Sequence, residues 1–169
     1  MNKVHHPLIE MLESMAARDD RAALAELRKG LSPGRESAVY PFVARFFPMD
    51  SRPSDERSLV TVAALFALHP VSGTRSIAFA LRSIRLETDS DSVEKRFVGL
   101  LDSHVEDLPN HLRHAVSLCR SHDRTFDWSG ILDALRNWEH EDRWVQRRWA
   151  RDFWSTERSE QSTREQENA

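Results

Sequence analysis

The chain has 169 residues and a mass of 19.6 kDa, with 40% hydrophobic and 30% charged residues. A chain of this length buries about 70% of its unfolded surface. We therefore expect one compact domain or two small packed lobes, and we exclude a large multidomain enzyme. The mean hydropathy of −0.58 and the short apolar stretch over residues 59–68 indicate a soluble protein without a membrane span.

The single cysteine and the few glycines narrow the functional classes further. Cys119 has no partner for an internal disulfide, and no cysteine pair is present to hold a structural zinc. Glu10 and Glu13 interrupt the apolar core that a signal peptide would need, so we expect a cytoplasmic protein. Neither GxGxxG nor GxxxxGK[ST] occurs among only five glycines. This argues against a nucleotide-binding fold, and we predict no cofactor.

The charge is nearly balanced but unevenly distributed. The formal net charge is −3, and residues 155–169 contribute four glutamates against two arginines. Of the 24 basic residues only three are lysines, and the planar fork of arginine suits contacts to phosphate. A GC-rich genome would favour the same arginine codons, so this bias alone does not decide for nucleic-acid binding.

Apolar residues at helical spacing predict five helices in the first half, over residues 8–16, 20–29, 39–47, 54–68 and 74–86. Gly30 stands where the left-handed residue after a helix is expected. Pro48 ends the third helix. Ser54 is predicted to cap the fourth, apolar helix, which we expect to be central to the fold.

The second half carries four further predicted helices, over residues 91–101, 107–119, 128–138 and 141–154. Asp91 and Glu94 match a capping box, and the polar stretch before them marks a boundary between two lobes. We predict an all-α fold of about nine helices in two small packed bundles. Their bounds are residues 1–88 and 89–154, and residues 155–169 form a disordered tail because they have almost no apolar side chains.

The last helix has the most unusual pattern of the chain. Residues four apart form an apolar stripe made of Val145, Trp149 and Phe153. A second face carries four guanidiniums, those of Arg143, Arg147, Arg148 and Arg151. Such a strip could bind phosphates, and the nearby Trp144 could stack on a base. An ordinary solvated helix face is the alternative.

Other basic residues are candidates for the same nucleic-acid surface. They are Arg28, Lys29 and Arg35 around the end of the second helix, Arg52 and Arg57 at the start of the fourth, and Arg96 and Arg113 in the second half. Basic residues also favour helix C-termini because of the helix dipole, which offers a purely structural explanation for the first group. Only the fold can bring the last pair together.

The histidines do not form a convincing metal site. His104, His111 and His114 could share a helical side, but Pro109 interrupts the helix and no HExxH motif occurs. His122-Asp123 is the only His-Asp dipeptide and leaves an HD-type metal-dependent phosphohydrolase open as an alternative. We predict neither catalytic nor metal-binding residues.

Several modest motifs in fixed order resemble the CasB family, the small subunit of the type I-E CRISPR surveillance complex Cascade. They are Leu27-Arg28-Lys29-Gly30, Tyr40-Pro41, Arg96-Phe97, Leu112-Arg113, Phe126-Asp127-Trp128, Trp138 and the run from Val145-Gln146 through Trp149-Ala150-Arg151-Asp152-Phe153. The match covers roughly residues 5–154, and Ala78 departs from it where a glycine is expected.

The resemblance implies an all-helical protein present as two tandem copies beside the subunits that hold the CRISPR RNA. It implies a non-catalytic subunit that supports the assembly of guide RNA and target and stabilises the displaced single-stranded DNA. The expected partners are therefore the other Cascade subunits, a second copy, CRISPR RNA and single-stranded DNA, without reading of sequence. A helical adaptor that binds only protein is a further alternative.

Overall fold

The computed structural model describes residues 6–155. Over that range it contains nine α-helices, two short 3₁₀ segments and no β-strand, and its one β-type pairing is an isolated bridge between Ser72 and Phe126. The helices are α1 (Pro7–Ala17), α2 (Arg21–Lys29), α3 (Tyr40–Val43), α4 (Pro53–Leu68), α5 (Ile77–Thr88), α6 (Asp91–Leu101), α7 (Leu108–Ser121), α8 (Trp128–Asn137) and α9 (Trp144–Trp154). The predicted all-α fold class is confirmed.

Helix α4 is the centre of the fold. It packs against α1, α2 and α3 from the first half and against α7 and α8 from the second. Buried side chains lie around most of its circumference, including Leu59, Leu65 and Phe66. A helix that is apolar on nearly all sides has to be covered by neighbours, which explains the long apolar stretch in the sequence.

Side-chain caps begin the first two helices. Nδ1 of His6 accepts a hydrogen bond from the backbone N–H of Leu8 at 3.1 Å, and Oδ1 of Asp20 accepts one from Ala23 at 3.1 Å. Each cap satisfies a backbone donor that has no partner inside the helix. The two helices predicted over residues 8–16 and 20–29 agree with α1 and α2.

Two predicted caps are wrong. Helix α4 begins at Pro53, whose missing N–H is harmless at a first helical position, and no side chain caps it, so Ser54 is already inside the helix. At α6 the hydroxyl of Ser90 is the cap, and Asp91 is the first helical residue. Glu94 forms a salt bridge with Arg85 of α5 at 2.7 Å instead of completing a capping box.

Gly30 ends α2, but its backbone is not left-handed, since φ is −63°. A Cβ atom at this position would lie 2.4 Å from Cγ2 of the buried Val39 and 3.2 Å from Cβ of Ala64. The close approach of this turn to α4 therefore requires the glycine. This corrects the predicted role of Gly30.

The connection between α4 and α5 pairs with the connection between α7 and α8. The backbone N–H of Gly73 donates to the carbonyl of Phe126 at 2.8 Å, and that of Asp127 donates to the carbonyl of Arg75 at 2.7 Å. A Cβ on Gly73 would lie 2.8 Å from the backbone nitrogen of Phe126, so only glycine allows this approach. These bonds join the two halves of the chain away from the helices.

Helix α9 packs mainly on α5. The predicted apolar stripe is buried, and the ring of Phe153 stacks on Phe97 of α6 with centroids 4.1 Å apart. The hydroxyl of Ser76, which caps α5, donates to Oδ2 of Asp152 at 2.5 Å. These contacts fix the rotation of α9 about its own axis, and therefore which side faces solvent.

Helix α5 belongs to the first predicted bundle but packs against α6, α7 and α9 of the second. The division into residues 1–88 and 89–154 stays a prediction. The predicted disordered tail, apart from Ser155, lies outside the described residues.

Candidate nucleic-acid interface

Three exposed arginines lie on the solvent side of α9, and we call them the α9 basic face: Arg147, Arg148 and Arg151. Arg147 and Arg151 are one helical turn apart, about 6 Å along the axis. Within residues 6–155 neither of these two guanidiniums forms a salt bridge or a hydrogen bond. Two cationic side chains are therefore free to bind an anion outside this part of the chain.

The neighbouring carboxylate does not neutralise Arg151. Asp152, the adjacent candidate for a surface ion pair, is half-buried and accepts the hydrogen bond from Ser76. The carboxylate next to Arg151 in the sequence is therefore already hydrogen-bonded to the start of α5. Arg151 therefore keeps its place among the predicted candidates for the interface.

Arg148 lies in a more compensated environment than its two neighbours. It borders a small cleft between α5, α8 and α9, together with the half-buried Trp144 and the carboxylates of Asp127 and Asp133. Burial raises the pKa of Asp133, and the positive charges of Arg136 and Arg148 act in the opposite direction. We therefore expect Arg148 to contribute less to anion binding than Arg147 or Arg151.

Arg143 is not on the α9 basic face, which corrects the predicted group of four. Helix α9 begins at Trp144, and Arg143 precedes it with a left-handed φ of 47°. Its Nη2 donates to the backbone carbonyl of Leu101 at 2.7 Å. Leu101 is the last residue of α6, whose final carbonyls lack partners inside the helix. Arg143 thus holds the end of α6.

A second set of arginines lines two adjoining grooves beside α4. We call the two grooves together the α4 groove. The two parts have volumes of about 540 and 760 Å³. The arginines lining them are Arg52, Arg57, Arg113 and Arg136. Carboxylates line the same grooves: Glu36, Asp55, Glu56, Glu106 and Glu139. The charge of the α4 groove is therefore mixed.

One arginine of the α4 groove has a structural contact, and another was missed by sequence analysis. Nη1 of Arg113 donates to the backbone carbonyl of Leu31 at 3.1 Å, which ties α7 to the turn after α2. Arg136 was not among the candidates, although it stands in the last turn of α8, a position typical of basic residues. Only the packing of α8 on α4 brings it to the groove.

The remaining candidate residues lie on other elements. Lys29 forms a salt bridge with Glu26 at 2.5 Å, whereas Arg28 and Arg35 are exposed near the same turn. Arg96 is exposed on α6. No arginine of the α9 basic face lines the α4 groove. The structure thus distributes the candidates over several surfaces rather than one groove.

The alternative of a metal-dependent hydrolase gains no support from the geometry. His122 ends α7, and Asp123 follows it with a left-handed φ of 52°. Among the side chains placed by the structure, no group of three or more His, Cys, Asp or Glu is arranged to hold a metal ion. Within the same residues, no helix combines the length and the apolar character required to cross a bilayer.

Comparison with known proteins identifies the family. The family model of the CRISPR-associated protein Cse2 matches residues 22–154. A CRISPR-associated protein Cse2 from Thermus thermophilus is 33% identical over 155 residues, which is 88% of each chain. The chain belongs to the Cse2 family.

Solved structures show the same Cse2 fold and confirm the resemblance to CasB. The crystal structure of a Cse2-family protein from T. thermophilus superposes with a TM-score of 0.78 at 30% identity, covering 90% of this chain and all of that one. CasB from M. ruber superposes with a TM-score of 0.70 at 34% identity, and the match covers 84% of this chain and 89% of that one. A chain of a CRISPR RNA-guided surveillance complex superposes with a TM-score of 0.70 at 24% identity, and the match covers 94% of both chains. At this identity the likeness shows only that the fold is shared.

Proposed function

We propose that this chain is a non-catalytic subunit of a cytoplasmic type I-E CRISPR surveillance complex. In that complex it would support the assembly of guide RNA and target strand and stabilise the displaced DNA strand. Membership of the Cse2 family and the fold shared with a chain of such a complex support this proposal. The expected partners are the other Cascade subunits, a second copy, CRISPR RNA and single-stranded DNA.

The observation that carries the nucleic-acid part of the proposal is the pair Arg147 and Arg151. Both are exposed, one turn apart, and without a partner in residues 6–155. Arginines on a helix surface bind phosphates without distinguishing bases. That property suits a protein surface that follows a displaced strand of any sequence, because base pairing with the guide already reads the target.

Reconstitution of the complex tests the proposal. The chain is purified with the other Cascade subunits and guide RNA, either unchanged or as Arg147→Ala/Arg151→Ala. The control is Arg18→Ala/Arg120→Ala, which removes two exposed arginines from other parts of the chain. We expect all three to assemble, and only the α9 variant to bind its target about tenfold more weakly, a change of about 1.4 kcal/mol.

Two results would overturn the proposal. If the unchanged chain does not join the complex, it is not a subunit of that complex. If both variants bind the target equally well, the α9 basic face does not bind nucleic acid.

A helical adaptor remains the second candidate because of exposed apolar side chains near α4. Met49 is fully exposed in the connection before α4, and Tyr40 of α3 is 48% exposed. Tyr40 also lines the α4 groove. An adaptor would join the complex through such residues and show no salt-dependent affinity for single-stranded nucleic acid. The replacement Tyr40→Ala/Met49→Ala would then disrupt assembly, while the α9 variant would have no effect.

A further inference from the structure

The larger part of the α4 groove, which we call the Tyr40 pocket, has an apolar floor and an aromatic wall. Its volume is about 760 Å³. Three buried residues of α4 form the floor, namely Val60, Ala64 and Leu65. The exposed ring of Tyr40 lies edge-to-face with the half-buried ring of Phe47, with centroids 6.4 Å apart. Such a surface can hold an apolar anchor side chain of a partner protein.

Contacts within the fold hold one wall of the Tyr40 pocket in place. The turn after α2 approaches α4 so closely at Gly30 that a Cβ atom there would lie 3.2 Å from Cβ of Ala64. The hydrogen bond from Arg113 to the carbonyl of Leu31 ties the same turn to α7. A pocket that is already formed loses less conformational entropy when a partner binds.

The charge of the Tyr40 pocket is negative on balance. Three carboxylates and two guanidiniums line it, those of Glu36, Glu56, Glu106, Arg57 and Arg113. Within residues 6–155 none of the three carboxylates forms a salt bridge. Glu36 and Glu56 accept hydrogen bonds only from uncharged groups nearby. An excess of negative charge attracts basic side chains and repels the phosphates of a nucleic acid.

We propose that the Tyr40 pocket binds a basic peptide segment of another subunit of the complex. The segment would place an apolar side chain beside Tyr40 and lysines or arginines beside Glu56 and Glu106. This inference rests on the proposed function, because the proposed complex supplies the subunit that carries the segment. The α9 basic face and the Tyr40 pocket would then bind different partners, nucleic acid and protein.

The first experiment uses a short synthetic peptide as the probe. Leucine and lysine alternate in this peptide, which carries a fluorescein label, and its binding to the full chain is measured by fluorescence anisotropy. One control peptide has serine in place of leucine, and another has glutamate in place of lysine. We expect only the leucine–lysine peptide to bind, with an affinity that falls as salt is added.

Variants of the chain show whether the peptide occupies the Tyr40 pocket. Glu56→Gln/Glu106→Gln removes two charges from the pocket, and Glu10→Gln/Asp89→Asn removes two from exposed positions outside it. We expect the first variant to bind the peptide about three- to tenfold more weakly, and the second to bind it unchanged. Tyr40→Ala should also weaken binding. Tyr40→Phe should not, because the ring makes the contact rather than the hydroxyl.

The second experiment identifies the segment in the reconstituted complex. A photoreactive benzoylphenylalanine replaces Tyr40 in one preparation and the exposed Glu10 in the control. After irradiation and proteolysis, mass spectrometry identifies the peptide that has become attached. We expect the group at position 40 to attach to a segment of another subunit with a net positive charge, and the control not to attach to that segment.

The outcomes separate the docking site from the proposed function. Equal binding of the three peptides, or equal peptide affinity of the two charge variants, would overturn the docking site. Attachment of the group at position 40 to nucleic acid, or to no other subunit, would overturn it as well. In each case a chain that still joins the complex keeps the proposed function. A chain that binds the leucine–lysine peptide but does not join the complex would support a peptide site in the pocket and overturn the proposed function.

Discussion

The α9 basic face and the α4 groove are both rich in arginine, but their arginines have different surroundings. In the α4 groove Arg113 holds a backbone carbonyl, and the carboxylates of Glu56 and Glu106 line the same walls. On α9, Arg147 and Arg151 have no partner in the part of the chain that the structure describes. The guanidiniums of Arg52 and Arg57 in the α4 groove likewise form no hydrogen bond or salt bridge within residues 6–155, so the two regions differ mainly in the carboxylates that line the groove. Nearby carboxylates weaken the attraction of a groove for a polyanion.

The first test concerns the anchor of the α9 basic face. Trp149 is 4% exposed, and its ring lies 5.6 Å from that of Trp138. Trp149→Ala should lower the free energy of unfolding by about 3–5 kcal/mol, because a large cavity is left in the core. Urea denaturation measures this change. Trp154→Ala, at a 43% exposed position, is the control and should cost clearly less. Equal losses would show that α9 is not anchored through its apolar stripe.

The second test concerns the wall of the α4 groove. Gly30→Ala should lower the free energy of unfolding by about 1–3 kcal/mol, because the new methyl group would overlap Val39. Removing the obstacle in Gly30→Ala/Val39→Ala should make the combined loss smaller than the sum of the two single losses. Additive losses in chemical denaturation would contradict the close approach at Gly30.

The third test separates structural arginines from free ones. Arg143→Ala and Arg113→Ala each remove a hydrogen bond to a backbone carbonyl and should each cost about 1 kcal/mol of stability. Arg147→Ala should change the stability by less than about 0.5 kcal/mol. Thermal and urea unfolding of the three variants give the comparison. A loss at Arg147 as large as at Arg143 would mean that it has a structural partner.

The smallest effect is a pH dependence at the start of α1. Burial lowers the pKa of His6 from its ordinary value of 6.5, with Arg136 acting in the same direction. The stabilisation by neutral His6 is therefore fully present above pH 6.5 and is lost as the pH falls through the lower, folded-state pKa. Protonation also removes the Nδ1 acceptor that caps Leu8.

His6→Asn keeps a capping side chain without a titrating ring. We expect the loss of stability between about pH 7.5 and about pH 5.5 to be smaller in this variant than in the unchanged protein, by at most about 0.5 kcal/mol because solvent screens the partly exposed ring. His114→Asn, at an exposed position on α7, is the control and should leave the loss unchanged. Identical pH profiles for His6→Asn and the unchanged protein would contradict the cap.

Sequence predicts the parts of the fold that depend on local pattern. The buried stripe of α9 and the helices over residues 8–16 and 20–29 follow from residues within one or two helical turns. The resemblance to CasB likewise depends on ordered local motifs, and the family comparison confirms it. Local spacing is sufficient where neighbouring residues determine the structure.

The missed features depend on residues that are distant in the sequence. Arg143 contacts the carbonyl of Leu101 across 42 positions, and the left-handed backbone before α9 removes it from the helical register. Gly30 is required by Val39 and Ala64, which approach it only in the folded protein. Arg136 reaches the α4 groove because α8 packs on α4. Hydrophobic periodicity cannot predict these contacts, because it depends only on residues that are close in the sequence.

The central claim is that Arg147 and Arg151 bind phosphates while exposed arginines elsewhere on the described chain, such as Arg18 and Arg120, do not. The most direct measurement is the salt dependence of single-stranded DNA binding by the unchanged chain, Arg147→Ala/Arg151→Ala and Arg18→Ala/Arg120→Ala. Each phosphate contact contributes about −0.7 to the log–log slope. We expect the slope of the α9 variant to be shallower by about 1.4, with affinity lowered alike for all sequences and helicity retained. The control should overlay the unchanged chain. Overlaying curves for the α9 variant would contradict the claim and show that another surface meets the nucleic acid.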